Sequence, residues 1–257
     1  LVCGSSGFIG QNLVKKLKEQ GHYVVGVDIR EPRYIKPDKF YSLDLRHISQ
    51  CVNVFRETDY DRVYQLSAEM GGAGFIFSGD NDAEIMTNSA LININVACLA
   101  HNFKVKKLFF SSSVCAYSKD QVKEKMSEES IYPANPDSNY VWEKIFSERV
   151  YQAFAKNKGL NIRIARLNNT FGPYCTWDGG REKAPAAICR KALTQDPIEI
   201  WGDGKQIREF IYIDDLLDAI EIIMQSDHQE PINIGPDESY TIDEMVRMVS
   251  DKEIKHI

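Results

Sequence analysis

Apolar residues fall along this chain of 257 residues in two alternating rhythms. A short apolar run, Leu1-Val2-Cys3, is followed by Ile9, Leu13 and Leu17 on one helical face, and Gly21 closes that stretch. Tyr23-Val24-Val25-Gly26-Val27-Asp28 reads as a second strand ending in an acid. A third strand is expected over Phe40 to Arg46 and a fourth over Asp61 to Ala68. Leu91, Ile92, Ile94, Val96, Leu99 and Phe103 predict a long helix from Asn88 to Phe103. Lys107-Leu108-Phe109-Phe110 then enters a buried strand that leaves the core through Ser111, Ser112 and Ser113 and reaches Cys115. The stretch from Ser118 to Asn139, with Pro133 and Pro136, reads as loop. A helix follows from Tyr140 through Ile145, Val150 and Phe154, and Asn161 to Arg166 forms a sixth strand. Strands separated by helices predict an α/β fold, a Rossmann-like doubly wound parallel sheet. Ligands of such sheets sit at the carboxyl ends of the strands.

From Leu167 the rhythm changes. Residues 168–183 are polar, glycine-rich and aromatic, a helix is expected over Ala184 to Leu193, and Ile198 to Trp201 reads as a short strand with Trp201 in the core. The expected division is a dinucleotide-binding domain over 1–166 and a smaller substrate-binding region over 167–257, partly interleaved with it and truncated at its C-terminal end. Gly71, Gly72 and Gly74 fall within four residues, a density that disfavours a helix and predicts a loop that hugs a ligand.

Chemistry-bearing residues cluster at the expected strand ends. Gly4, Gly7 and Gly10 sit at three-residue spacing between the first strand and the first helix. Glycine there permits a tight turn and close approach of a pyrophosphate to the helix N-terminus. Asp28, closing the next strand, is placed to accept hydrogen bonds from an adenosine ribose and to repel a 2′-phosphate, which favours NAD over NADP; Arg30 and Arg33 read as surface charge. Tyr140 and Lys144 are four apart and share a helix face.

The net charge of −6 leaves no basic footprint for nucleic acid. No apolar run approaches the roughly 20 residues of a membrane span. The six cysteines include no short CxxC pair and the five histidines are scattered, so no metal site and no disulfide is expected, as in a reducing cytoplasm. The chain opens at Leu1 inside a strand, without an initiator Met or signal peptide, as a fragment would.

Gly4-x-x-Gly7-x-x-Gly10, Asp44-Leu45, Ser113, Tyr140-x-x-x-Lys144, Asn169 and Gly202-Asp203-Gly204-x-Gln206-x-Arg208 together resemble the extended short-chain dehydrogenase/reductases that modify nucleotide sugars. Within that family, Ala68-Glu69-Met70-Gly71-Gly72, Ser113-Val114-Cys115 and Trp177 through Ala187 resemble the GDP-mannose 3,5-epimerase branch. The resemblance implies a homodimer that uses NAD to epimerise a GDP-sugar at C3, C5 or both through a transient 4-keto intermediate. It implies that Tyr140, oriented by Ser113 and depressed in pKa by Lys144 together with the nicotinamide charge, takes the 4-hydroxyl proton, while Cys115 and Lys183 act as base and acid on opposite faces of the ring. The cofactor residues it implies are Gly4, Gly7, Phe8, Ile9, Gly10, Asp28, Asp44, Leu45, Leu66, Ala68, Tyr140 and Lys144. The substrate residues are Met70, Gly71, Gly72, Ser113, Asn169, Lys183 and Arg208, with Arg208 on the diphosphate. Two positions depart from the family pattern: Ser118 follows Tyr117 where glycine or proline is common, and Asn168 precedes Asn169 where an aromatic or histidine is common. They fit a related GDP-hexose or GDP-heptose. The rival readings are a 4,6-dehydratase, a simple 4-epimerase and a non-catalytic nucleotide-sensing scaffold. Val114 and Cys115 stand where a dehydratase carries an Asp-Glu pair, a 4-epimerase would leave Cys115 and Lys183 idle, and a scaffold would leave the whole Ser-Tyr-Lys set unused.

Overall fold

The computed structural model describes residues 1–117, 127–136 and 138–257. Ser118 therefore lies outside the described residues. The first part of the chain forms β1 (Val2–Cys3), α1 (Phe8–Glu19), β2 (Val25–Asp28), β3 (Lys39–Ser42), α2 (Ile48–Arg56), β4 (Arg62–Gln65), α3 (Ala73–Ile76), α4 (Asp82–Asn102) and β5 (Lys107–Ser113). Among the described residues the 3₁₀ turns Val114–Ala116 and Glu128–Ile131 precede α5 (Asn139–Lys158) and β6 (Ile162–Leu167). The remainder is β7 (Asn169–Phe171), α6 (Ala184–Thr194), β8 (Ile198–Ile200), β9 (Ile207–Arg208), β10 (Phe210–Tyr212), α7 (Ile213–Gln225), β11 (Ile232–Ile234), β12 (Tyr240–Thr241), α8 (Ile242–Val249) and β13 (Ile254–His256).

Seven strands make one sheet in the order β11-β6-β5-β4-β1-β2-β3, every pair parallel. This is the expected doubly wound α/β architecture. Strand order reverses between β1 and β4, the crevice where such sheets bind dinucleotides. Strands buried on both faces need continuous apolar runs, and Leu108-Phe109-Phe110 in β5 supplies one, all 1 % exposed or less. One face packs on α2, α4 and α5 through Val54, Phe55, Val96, Leu99 and Tyr151. The other packs on α1 and α7 through Leu13, Val14, Leu217, Ile220 and Met224. Residues beyond 167 are thus shared between two places: α7 and β11 return to the main sheet, while α6, β8 and α8 enclose a small core of their own around Ile188, Ile198, Ile200 and Val246.

Helix ends follow their local chemistry. Ser138 caps α5 by accepting from the Val141 N–H (3.4 Å), and Gly159 ends the helix at φ +70°. Thr241 and Glu244 close a reciprocal capping box on α8.

Four expectations need correction. The third strand stops at Ser42, because Asp44 turns to its own neighbour Arg46 instead of continuing the ladder. The glycine stretch contains a helical turn, Ala73–Ile76, closed by Phe75 and Ile76 N–H groups on the Gly72 carbonyl and covered by the Arg181 guanidinium 4.0 Å from the Phe75 ring. The stretch expected as loop before α5 holds the 3₁₀ turn Glu128–Ile131, anchored by buried Ile131. Trp201 is not core: it is 75 % exposed, with the Lys191 ammonium 5.6 Å from its ring.

Candidate active site

The site assembles from the carboxyl ends of β1, β2, β4 and β5. After β1 the chain turns through Gly4 at φ +79°, a conformation that favours glycine. A Cβ on Gly4 would meet the backbone nitrogen of Ser67 at 2.9 Å, and one on Gly10 would lie 2.0 Å from the Gly4 carbonyl oxygen. The turn, α1 and the strand after β4 therefore touch backbone to backbone. Gly7 caps α1 without any side-chain partner, so the first N–H groups of the helix, from Phe8 and Ile9 onward, point out of the turn unclaimed by a cap. Among the described residues nothing hydrogen-bonds the buried Ser5 hydroxyl either. Asp28 receives the backbone N–H of Ser6 (3.1 Å) and of Arg30 (3.0 Å), which fixes its carboxylate beside that turn. A helix N-terminus over a glycine turn, with a fixed carboxylate one strand away, fits a dinucleotide: pyrophosphate at the turn and ribose at Asp28.

Leu66 and Ala68 lie just past β4, where the Leu66 N–H bonds the Cys3 carbonyl (3.1 Å). Asp44 is held by Arg46 through hydrogen bonds that keep its carboxyl below the usual range, and Arg46 in turn reaches Asn88 (2.8 Å). Leu45 is buried in the core against α2 and α4.

At the end of β5 the Ser113 hydroxyl accepts the Cys115 N–H (3.1 Å) and so opens the 3₁₀ turn that carries the thiol. Ser113 also hydrogen-bonds Tyr140 on α5. Burial nevertheless pushes the Tyr140 phenol well up, with Cys115 adding to the rise. The Lys144 ammonium stands beside this phenol. It donates to the Ser111 carbonyl (3.2 Å), lies 5.3 Å from the Phe110 ring and 5.8 Å from the Tyr140 ring, and is itself lowered by burial. Glu143, Glu148 and Cys115 oppose that lowering.

Lys183 sits at the N-cap of α6 and approaches from the other region of the chain. Burial lowers its ammonium, and the thiols of Cys115 and Cys175 are the two groups that oppose the lowering. The structure therefore brings Ser113, Cys115, Tyr140, Lys144 and Lys183 into one place. The strap that carries Lys183 is pinned to the loop of Met70, Gly71 and Gly72. A Cβ on Gly72 would lie 2.3 Å from the Glu182 carbonyl oxygen, and Arg181 donates to the Glu69 carboxylate (3.0 Å) and the Met70 carbonyl (3.2 Å). Asn169 opens β7, its amide reaching the Glu209 carbonyl (3.4 Å) while Asn168 holds the Glu209 carboxylate (2.5 Å). Arg208, the neighbour of Glu209, is exposed on β9 and donates to the Ile207 carbonyl (2.7 Å) rather than to any of these groups. Among the described residues no cluster of His, Cys, Asp and Glu could hold a metal ion.

A profile described as the NAD dependent epimerase/dehydratase family matches residues 1–235. The chain belongs to that family. It is 38 % identical over 256 residues to GDP-mannose 3,5-epimerase 1 of Oryza sativa subsp. indica, covering 96 % of this chain and 67 % of that one. It is 38 % identical over 265 residues to GDP-mannose 3,5-epimerase of Arabidopsis thaliana, covering 100 % and 69 %. Among solved structures it is similar to UDP-glucose 4-epimerase of Thermotoga maritima, with a TM-score of 0.90 at 25 % identity, covering 100 % of this chain and 84 % of that one. This NAD dependent epimerase is accordingly an enzyme whose cofactor is NAD.

Sequence reasoning missed several parts of this epimerase site. Cys175 joins Cys115 beside Lys183, and nothing in its sequence context marks it. Glu148 and Arg166 form a buried ion pair (2.8 Å; 1 % and 2 % exposed) behind the Cys115 turn. Two signals were present for that pair: an arginine inside the apolar strand Ile162–Leu167, and a glutamate one helical turn beyond Lys144.

Proposed function

We propose that this enzyme inverts C3, C5 or both of a GDP-hexose through a transient 4-keto sugar. The observation that carries the proposal is that Lys183, brought in by α6, is buried close enough to Cys115 for their charges to interact, at the same strand end that holds Ser113 and Tyr140. Tyr140, held by Ser113, takes the proton of the 4-hydroxyl. Bound NAD supplies the hydride acceptor at C4 and a positive ring charge beside the phenol. A ketone at C4 acidifies the hydrogens on C3 and C5. Cys115, as thiolate, removes one of them from one face, and Lys183 returns a proton from the other. Burial, which lowers the Lys183 ammonium, makes it a better acid at neutral pH. Once the inverted ketone is reduced, for which the bound cofactor would supply the hydride, Tyr140 returns its proton to the C4 oxygen.

Under this reading residues 1–166 hold the cofactor. Residues 167–257 supply the sugar-nucleotide contacts, including Asn169 and Arg208, with Met70, Gly71 and Gly72 facing them from the first region. We also propose a homodimer. Leu91 and Ile94 on α4 and Trp142 and Phe146 on α5 are 36–46 % exposed and form an apolar face on the adjoining helices. A reducing cytoplasm suits six free cysteines.

The test is a panel of GDP-, UDP- and dTDP-sugars in deuterated water, read by mass. GDP-mannose is expected to gain deuterium at C3 or C5. Inversion at C4 without exchange overturns the proposal, and no turnover with any sugar nucleotide overturns the enzymatic reading of the pair.

A further inference from the structure

The turn that carries Cys115 is held at both of its ends. Ser113 opens it through the Cys115 N–H. Tyr117 closes it: its N–H bonds the Val114 carbonyl (3.3 Å) and its side chain is 5 % exposed. The Tyr117 hydroxyl accepts from the Arg166 guanidinium (2.8 Å) and donates to the Asn233 side-chain oxygen (2.8 Å). Arg166 is locked in turn by Glu148, through Nε (3.0 Å) and Nη2 (2.8 Å), and Glu148 also takes the Ser112 hydroxyl of β5 (2.5 Å). Arg166 further donates to the Glu128 carbonyl (2.9 Å), and the Glu128 carboxylate accepts the Asn233 N–H (2.9 Å).

We infer that Tyr117 is a positioning residue for the acid–base step, tying the Cys115 turn to the buried Glu148–Arg166 pair and to β11. The reason is geometric. A 3₁₀ turn of three residues has few hydrogen bonds of its own, so its thiol is placed by whatever fixes its ends. Glu148 and Arg166 are almost fully buried; Glu148 bonds Arg166 and Ser112 of β5, and Arg166 bonds Glu148, Tyr117 and the Glu128 carbonyl, which makes the clamp stiff. Tyr140 and Lys144 stand on α5 and are placed without the Tyr117 hydroxyl. Loss of that hydroxyl should therefore separate two steps that share one site: hydride removal at C4 and proton exchange at C3 or C5. Misplacement of a reacting group by about 1 Å costs on the order of 100-fold in rate.

The inference rests on the proposed 3,5-epimerase reading, and the experiment distinguishes the two. Wild type and Tyr117→Phe are compared with NAD and GDP-mannose in deuterated water. Two rates are followed: the absorbance of reduced cofactor for the C4 step, and deuterium uptake for the exchange step. The expected result is an exchange rate about 10- to 100-fold lower in Tyr117→Phe, with cofactor reduction within about twofold of wild type. Arg166→Lys, which keeps the charge opposite Glu148 but loses the planar fork, is expected to shift the same ratio in the same direction. Equal exchange in both proteins overturns the inference. So does a parallel fall in both steps, which would make Tyr117 merely structural. A wild type that reduces its cofactor without exchange overturns the 3,5-epimerase reading itself and removes the inference with it.

Discussion

Gly72 and Glu182 meet at van der Waals limit, with no room for a methyl group between the Gly72 Cα and the Glu182 carbonyl oxygen. This contact, with the Arg181–Glu69 ion pair (3.0 Å), ties the loop after β4 to the strap that carries Lys183. Gly72→Ala is expected to push that strap away and lower deuterium exchange at C3 or C5 by about tenfold or more, while binding of NAD is unchanged. Cofactor titration beside exchange measurement checks it. Arg181→Ala, which removes a partly exposed ion pair, the bond to the Met70 carbonyl and the cover over the Phe75 ring, is expected to lower stability by about 1–2 kcal/mol.

Gly10→Ala sets a Cβ 2.0 Å from the Gly4 carbonyl oxygen. The glycine turn must then open, and the N–H groups of α1 lose their aim. Binding of NAD is expected to weaken by at least about 100-fold, roughly 2.7 kcal/mol, measured by calorimetry on the purified protein.

The Lys183 ammonium is lowered from its ordinary 10.5 by burial. If it is the acid of the epimerisation step, the alkaline limb of the kcat profile falls in a window below pH 10.5, as the proton it must donate is lost. A limb that lies at or above 10.5 would assign the acid elsewhere. Rates across pH 6 to 11 decide.

Lys144 is also lowered by burial, so its charge opposes folding. The unfolded chain binds the proton more tightly than the folded one, and this penalty is full below the folded pKa and relieved as pH rises toward 10.5. Lys144→Met is therefore expected to abolish turnover yet raise Tm at pH 7 by about 2–4 °C, the scale of 1 kcal/mol in a chain of this size. The gain should shrink as pH approaches 10.5, which thermal melts in a pH series test.

Glu148→Gln leaves the Arg166 guanidinium buried without its counter-charge. Breaking such a pair costs about 3–5 kcal/mol, a fall in Tm on the order of 10 °C. The double variant Glu148→Leu with Arg166→Met removes both charges and is expected to recover most of that loss. Melting of wild type, Glu148→Leu, Arg166→Met and the double variant closes the cycle.

Local sequence was enough for the alternation of strands and helices through β6, for the glycine turn and Asp28, and for the helix that sets Tyr140 beside Lys144. These features depend on neighbours a few residues apart: period, caps and turn residues. Gly74 misled because its conformational cost is about 1 kcal/mol, and packing of Phe75 under Arg181 outweighs it. Trp201 misled because an apolar ring says nothing about which side of a short strand is covered. The opening stretch of β5 and its turn shows the same division. That Ser113 and Cys115 end a buried strand is written in the residues themselves. That Lys183 is buried within electrostatic range of the thiol, and that Glu148, Arg166 and Tyr117 brace its turn, joins positions up to 68 residues apart, and only the folded chain closes those distances.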